Sequence, residues 1–314
     1  MTQYTLKCEE KIRLYSLLRL KLPSLLKTEI SNSKLRRLII SGSIFVNGKQ
    51  IRIPAFTVFK GSSVVAEIEE EKLFFEKQPD DIDFQLCEKD ILFEDESIIV
   101  VNKPCHFPSE ASMVLSRKNL HSAVVDYLFK RQKREKPLAK NPPYVGIMHR
   151  LDRDTSGAIL FTKTRTVNKA FHDMFEQHLI HKEYVAVCCG IPKKENFIVE
   201  FTMGRISRKS EPAKWGFLEE ENGGLASKTE FTVLNSKGNF CVVKCKLFTG
   251  RTHQIRVHLS SVALSILGDV LYGGLFNERI MLHSKKLSFI HPLTSEKIEI
   301  ESPLPSEFEI YLLK

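Results

Sequence analysis

Residues 144–163 read YVGIMHRLDRDTSGAILFTK, in which Asp152 stands among His149, Arg150 and Arg153. Two guanidiniums and an imidazole beside a carboxylate favour its ionised form. An ionised carboxylate can act as a nucleophile or a base. A loop aspartate taken alone is more often a turn-maker or a cap, so the chemistry depends on what the rest of the chain brings to it.

The apolar runs on either side of this stretch read as strands. Residues 150–156 therefore form a short connection at a sheet end, where rigid strands hold reactive side chains in place. Upstream, residues 90–104 (DILFEDESIIVVNKP) read as strand, acidic turn and strand, ending in Lys103-Pro104. A helix carrying Leu120, Val124, Val125, Leu128 and Phe129 follows. It runs into KRQKREKP at 130–137, a charge run that reads as a mobile solvated loop. Residues 167–177 read as a helix and 184–189 as an apolar strand.

The first 70 residues differ in character. Apolar side chains at 14, 17, 18, 22, 25 and 26 give a helical spacing interrupted by Pro23. A second helix starts at Ser31 or Ser33 as N-cap and turns Leu35, Leu38 and Ile39 inward, with Lys34, Arg36 and Arg37 on its other side. Residues 44–49 (IFVNGK) read as a strand entering an Asn-Gly turn, with more strand through Val58 and at Val64-Val65.

Length and composition narrow the classes. At 314 residues, with 42% hydrophobic and 27% charged, the chain supports about two globular domains and excludes wholesale disorder or a coiled-coil rod. No apolar run approaches the roughly 18 residues of a spanning helix, and the first residues, MTQYTLKCEEKIR, show no secretory leader. Seven cysteines without a CxxC predict buried free thiols, a reducing cytoplasmic location and no structural zinc. Residues 1–60 hold 12 Lys+Arg against 3 Asp+Glu, residues 61–100 hold 3 against 13, and the remainder 32 against 22. Two basic blocks flank an acidic stretch, a pattern that suits a polyanionic partner. We expect an N-terminal domain at 1–70, an acidic linker at 71–88 and a second domain at 89–314.

The stretch HRLDRDTSG at 149–157 is similar to the HRLDxxTSG signature of the RluA-type RNA pseudouridine synthases, and further blocks of that family follow in order. They are IVVNKP at 99–104, KEY at 182–184, TGRTHQIRVHL at 249–259, LGDVLYG at 267–273 and LHS at 282–284 followed by FIHP at 289–292. The resemblance covers about 90–305, and six ordered blocks make it specific. It departs at residues 103–106, KPCH, where the family usually has a glycine two residues after the proline.

The resemblance implies uridine isomerisation in RNA, in which the N1–C1′ bond breaks and a C5–C1′ bond forms, without metal or cofactor. The family's catalytic aspartate falls on Asp152, acting as nucleophile or as the base that removes the C2′ proton. Its basic partner falls on Arg256 and its active-site tyrosine on Tyr184. Arg150 matches an arginine that occupies the space left by a flipped base, and Leu282 matches an apolar wall of the base pocket. The implied fold is α+β, a mixed, largely antiparallel sheet flanked by helices.

Residues 31–49, SNSKLRRLIISGSIFVNGK, resemble the S4 RNA-binding domain, although its leading Arg-Leu-Asp is met only loosely by residues 12–15, IRLY. That likeness implies RNA contacts at Lys34, Arg36, Arg37 and Lys49. Together the two resemblances point to ribosomal rather than transfer RNA as substrate, taken by a monomer without an obligate protein partner.

Two other classes compete. Residues 152–155 also fit the DxDxT of haloacid-dehalogenase-type phosphatases, with Mg2+ at Asp152 and Asp154. That motif should end an apolar strand, but His149-Arg150 follows Met148, and Gly273 stands where a second late carboxylate is needed. The other is an RNA-binding module without catalysis, against which the joint presence of Asp152, Tyr184 and Arg256 argues.

Overall fold

The computed structural model describes residues 2–30, 32–68, 81–111, 117–208 and 213–313. The chain divides into two compact units, residues 1–78 and 79–314. No helix among the described residues is long and apolar enough to cross a membrane.

In the first unit the helix Leu14–Leu26 buries Leu14, Leu17, Leu18, Leu22 and Leu26. Pro23 lies inside this helix and does not break it; a proline near the end forfeits one backbone bond while the leucine face stays buried. The helix stops a turn later, where Lys27 adopts φ 51° and returns its N–H to the carbonyl of Pro23. The helix Asn32–Ser41 buries Leu35, Leu38 and Ile39. Of its two candidate caps, Ser31 lies outside the described residues.

The strand Ile44–Val46 turns through Asn47 (φ 49°) and Gly48 (φ 79°) into Lys49–Ile51, the pair of left-handed residues that a tight hairpin requires. Ser63–Ile68 pairs with Ile44–Val46 and, on its other edge, with Thr2–Lys7. This first strand is absent from the sequence-based expectation. Leu6 is its one buried residue, so no alternating pattern advertises it.

The second unit is built on an eleven-stranded sheet. Its main path runs Trp215–Phe217, Asn196–Arg205, Leu225–Lys237, Phe240–Leu247, His181–Cys189, Leu282–Ile290, Ser156–Thr162, Ile98–Lys103 and Ile91–Glu94. All these pairings are antiparallel except Ser156–Thr162 against Leu282–Ile290. The sheet is thus mixed and largely antiparallel with flanking helices, as expected. At the parallel crossing Gly157 (φ 111°) faces the backbone of Ser284 so closely that a Cβ would fall 2.3 Å from its carbonyl oxygen. Only glycine lets these two strands meet there.

Two sequence expectations change. Residues 130–135 are not a mobile loop: the helix Leu120–Glu135 continues through them. Arg131 grips Glu94 through both carboxylate oxygens and lies over the Tyr127 ring, while Lys133 lies over Phe129. Cations in the last turn also suit the negative end of the helix. Of the expected linker, 71–80 lies outside the described residues. The remainder, 81–88, packs onto the second unit: Leu86 is buried, Phe84 meets Phe107 at 5.3 Å, and Asp81 accepts from Arg117 and Arg153.

Candidate active site

The segment between Ile147 and Ser156 is a loop fastened from three sides. Lys103, fully buried at the end of its strand, points its ammonium at the carbonyls of Pro104, Arg153 and Thr155 (2.9, 2.8 and 2.7 Å). Burial lowers the amine to about 7 even with the charges of Asp154, Cys105 and Asp152 opposing it. Three carbonyl acceptors match the three donors of an ammonium and favour its protonated form. From another side Ser109 Oγ donates to the carbonyl of Leu151 at 2.7 Å, and Phe107 N–H to that of Arg153 at 3.2 Å. At His106, where the resembling family has glycine, the backbone keeps the left-handed turn (φ 56°), and its Nδ1 lies 3.0 Å from Asp154. Histidine is among the residues that tolerate this left-handed region.

Asp152 projects from this loop into a cleft of about 510 Å3. Arg150, Tyr184, Arg256 and Leu282 line the same cleft, so five residues drawn from four separate blocks meet at one place. Tyr184 stands opposite Ser284 on one side and Cys245 on the other, just after a bulge at Glu183 that redirects the strand. Burial raises its phenol pKa well above the ordinary value; the Ser284 hydrogen bond opposes this and the charge of Asp152 adds to it. The hydroxyl therefore stays protonated. Arg150 is exposed and donates to Glu110 at 2.6 Å.

The cations around Asp152 are not those adjacent in sequence. His149 accepts the Leu160 N–H at 2.9 Å, stacks on Phe175, and is pushed down to about 3 by burial, with Lys182 adding to the effect. It is neutral and spent on that amide. Arg153 is committed to Asp81 and Asp154. Instead Arg256 reaches Asp152, with Nη1 at 3.3 Å from Oδ2, from a helix 104 residues further along the chain. That helix, Gln254–Ser261, buries Arg256, whose Nε and Nη2 bind both oxygens of the buried Asp269 at 2.6 and 2.9 Å. Burial would lower the guanidinium's pKa, but the hydrogen bonds and charge of Asp269 outweigh it and raise it. The rigid fork thus spends one edge on Asp269 and turns its remaining nitrogen to Asp152.

Sequence reasoning missed Asp269, Lys103 and His253 as parts of this cluster. All three lie inside the motif blocks, but nothing local says which way they point. His253 Nε2 is 3.7 Å from Asp152 Oδ2. Asp154, the second carboxylate of the DxDxT reading, bonds to His106 and Arg153. In the first unit Arg36, Arg37 and Lys49 are exposed and Lys34 is half-buried.

A loop carboxylate held by a buried arginine in a cleft beside a protonated tyrosine, on a mixed sheet, is a candidate active site. Residues 97–261 match the family described as RNA pseudouridylate synthase, and the chain belongs to that family. It is an RNA pseudouridine synthase, an isomerase that modifies RNA. An uncharacterized RNA pseudouridine synthase of Mycoplasma pneumoniae is 32% identical over 292 residues, covering 89% of this chain and 86% of that protein. The ribosomal large subunit pseudouridine synthase D of Pasteurella multocida is 30% identical, covering 89% and 85%. Among solved structures, human RNA pseudouridylate synthase domain containing 4 shares the fold with a TM-score of 0.56 at 21% identity, covering 71% of this chain and 92% of that one.

Proposed function

We propose that this enzyme isomerises specific uridines of large-subunit ribosomal RNA, with Asp152 as the single catalytic carboxylate and no cofactor. The observation that carries the reading is the convergence of Asp152, Arg256, Tyr184 and Leu282 on one cleft, with Arg256 Nη1 3.3 Å from the carboxylate. The departing uracil is a delocalised anion, so the chemistry needs a positioned carboxylate more than a strong acid. Arg256 holds Asp152 charged and oriented. Tyr184 stacks on the uracil and, being protonated, is suited to exchange a proton at C5 late in the reaction. Leu282 walls the base, and Arg150, exposed at the cleft's edge, fills the gap left by the flipped nucleotide, whose extrusion costs a few kcal/mol.

The ribosomal target is supported by the name of the Pasteurella relative and by the basic N-terminal module. Residues 1–70 act in this reading as an S4-like domain contacting RNA through Lys34, Arg36, Arg37 and Lys49, and the acidic stretch after it leads into the catalytic domain, onto which residues 81–88 pack. The odd, unpatterned cysteines favour a reducing cytoplasm, and the protein works as a monomer.

Tritium release from RNA labelled at C5 of uridine tests this, with chelator present and total RNA from a strain lacking the enzyme as substrate. Release by wild type and none by Asp152→Asn is expected, with the label confined to the large ribosomal fraction. Release by Asp152→Asn, or loss of release on chelation, overturns it.

A further inference from the structure

His253 has no part in the chemistry proposed so far, yet its geometry is the most constrained in the cleft. Its backbone is left-handed (φ 58°, ψ 18°) at the residue preceding the helix Gln254–Ser261. Such a conformation in a residue with a side chain persists where the surroundings impose it, and it clusters at functional sites. The side chain is 16% exposed, with Nδ1 2.9 Å from Tyr272 Oη and Nε2 3.7 Å from Asp152 Oδ2. Tyr272 Oη accepts the Trp215 N–H at 2.9 Å, and donating its own proton to Nδ1 is the arrangement that uses its one hydroxyl proton. Nδ1 is then an acceptor, and the ring proton sits on Nε2, on the side of Asp152.

The charged and titratable groups around the ring are Asp152, Arg256, Asp269, Arg150 and Tyr272. Burial lowers the imidazole's pKa; Asp152 and Asp269 oppose this, while Arg256 and Arg150 reinforce it. The ring is neutral at neutral pH. The Tyr272 ring also lies 5.0 Å from the Arg256 guanidinium carbon, so one tyrosine orients both donors aimed at Asp152 Oδ2.

We propose that His253 is a positioning residue for the isomerisation: as the Nε2–H tautomer set by Tyr272, it donates to Asp152 Oδ2 in the substrate complex. Oδ2 is then held between Arg256 and His253, and Oδ1 is presented to the reacting nucleotide. The proposal requires this pair to close from 3.7 Å, as catalytic hydrogen bonds do when they tighten around substrate. The inference rests on Asp152 being the catalytic carboxylate.

Chemical rescue tests it. Glycine suits the left-handed backbone, so His253→Gly keeps the helix start. In the tritium-release assay this variant should lose about ten- to a hundredfold in kcat with KM little changed, the size of a hydrogen bond to a charged group. Imidazole should restore it saturably. 1-Methylimidazole fills the same space and can accept from Tyr272, but has no N–H for Asp152, and should not restore it. Equal rescue by both azoles, or activity of His253→Gly within about twofold of wild type, which is less than such a bond is worth, overturns the proposal.

Should His253→Gly fail to melt cooperatively, His253→Gln and His253→Asn decide instead. Glutamine reaches the Nε2 position and asparagine only that of Nδ1, so glutamine should be several-fold more active; the reverse order overturns the proposal. Asp152→Asn is run beside them. If it retains activity, the reading of Asp152 fails, whereas an inert Asp152→Asn with a fully active His253→Gly sinks the role of His253 alone.

Discussion

In residues 1–78 the buried side chains are leucines, isoleucines and valines with Cys8 and Ala66, and among the described residues Ser62 is the one polar side chain buried with them. In residues 79–314 the buried set includes Lys103, Arg256, Asp269, His258 and His283. The first unit keeps Arg36, Arg37 and Lys49 in water, where a cation costs nothing to hold and is free to meet a phosphate. The second dehydrates Lys103, Arg256 and Asp269 beside one carboxylate, which is favourable only where each is matched by close partners. An apolar core tolerates surface changes. A polar core converts the loss of a single partner into an uncompensated charge.

The sharpest test of this contrast is at the carboxylate itself. Asp152→Asn should reduce tritium release by about 10^3-fold or more, as losses of a reacting group do, while filter binding of RNA stays within about twofold. Binding that collapsed along with activity would mean the first unit does not carry the affinity.

Next in size is the buried cation behind the loop. Lys103→Met leaves the carbonyls of Pro104 and Thr155 without a donor and that of Arg153 with the Phe107 N–H alone, and should lower the stability of the second unit by about 2–4 kcal/mol. Trp215 is the chain's single tryptophan and lies in that unit, so a urea melt followed by its fluorescence reads it directly. An unchanged midpoint would show that the carbonyls find other donors.

Acid should separate the units further. All ten histidines lie in the second unit. His149 and His283 are pushed down to about 3 and His258 to about 4, burial being the main cause in each case. Their pKa is lower folded than unfolded, so the unfolded chain binds more protons between pH 6.5 and 4. Stability is therefore full above pH 6.5 and lost as the pH falls, by about 1.4 kcal/mol per unit for each histidine. Hydrogen exchange should show the second unit opening first on acidification; simultaneous opening of the first would contradict the comparison.

The smallest expected effect is on the other side. Replacing Lys34, Arg36 and Arg37 by alanine should leave kcat unchanged and flatten the salt dependence of RNA binding. The log–log slope should fall by about 0.7–0.9 for each phosphate no longer neutralised. An unaltered slope would remove these residues from the RNA surface.

Much of this was legible in one dimension. The leucine spacing at 14–26 marks a helix because apolar burial repeats with the helical period, and Asn47-Gly48 marks a hairpin because both residues accept left-handed backbone. The edge strand Thr2–Lys7 was not legible, since one buried residue in six makes no pattern. The helix through 130–135 was not legible either, because Glu94 and the Tyr127 and Phe129 rings that order it carry no weight in a local count of charge.

For the site, sequence alone determined the ordered motif blocks and hence the family and the five residues expected at its centre, because spacing within a block is a local property. Which charge faces which was decided only in three dimensions. Asp152 has three cationic neighbours in the chain, yet its partners in space are Arg256 and His253, because His149 is spent on a backbone amide, Arg150 on Glu110 and Arg153 on Asp81 and Asp154. Which groups come within reach of a guanidinium or imidazole is set by how strands and helices distant in sequence pack together.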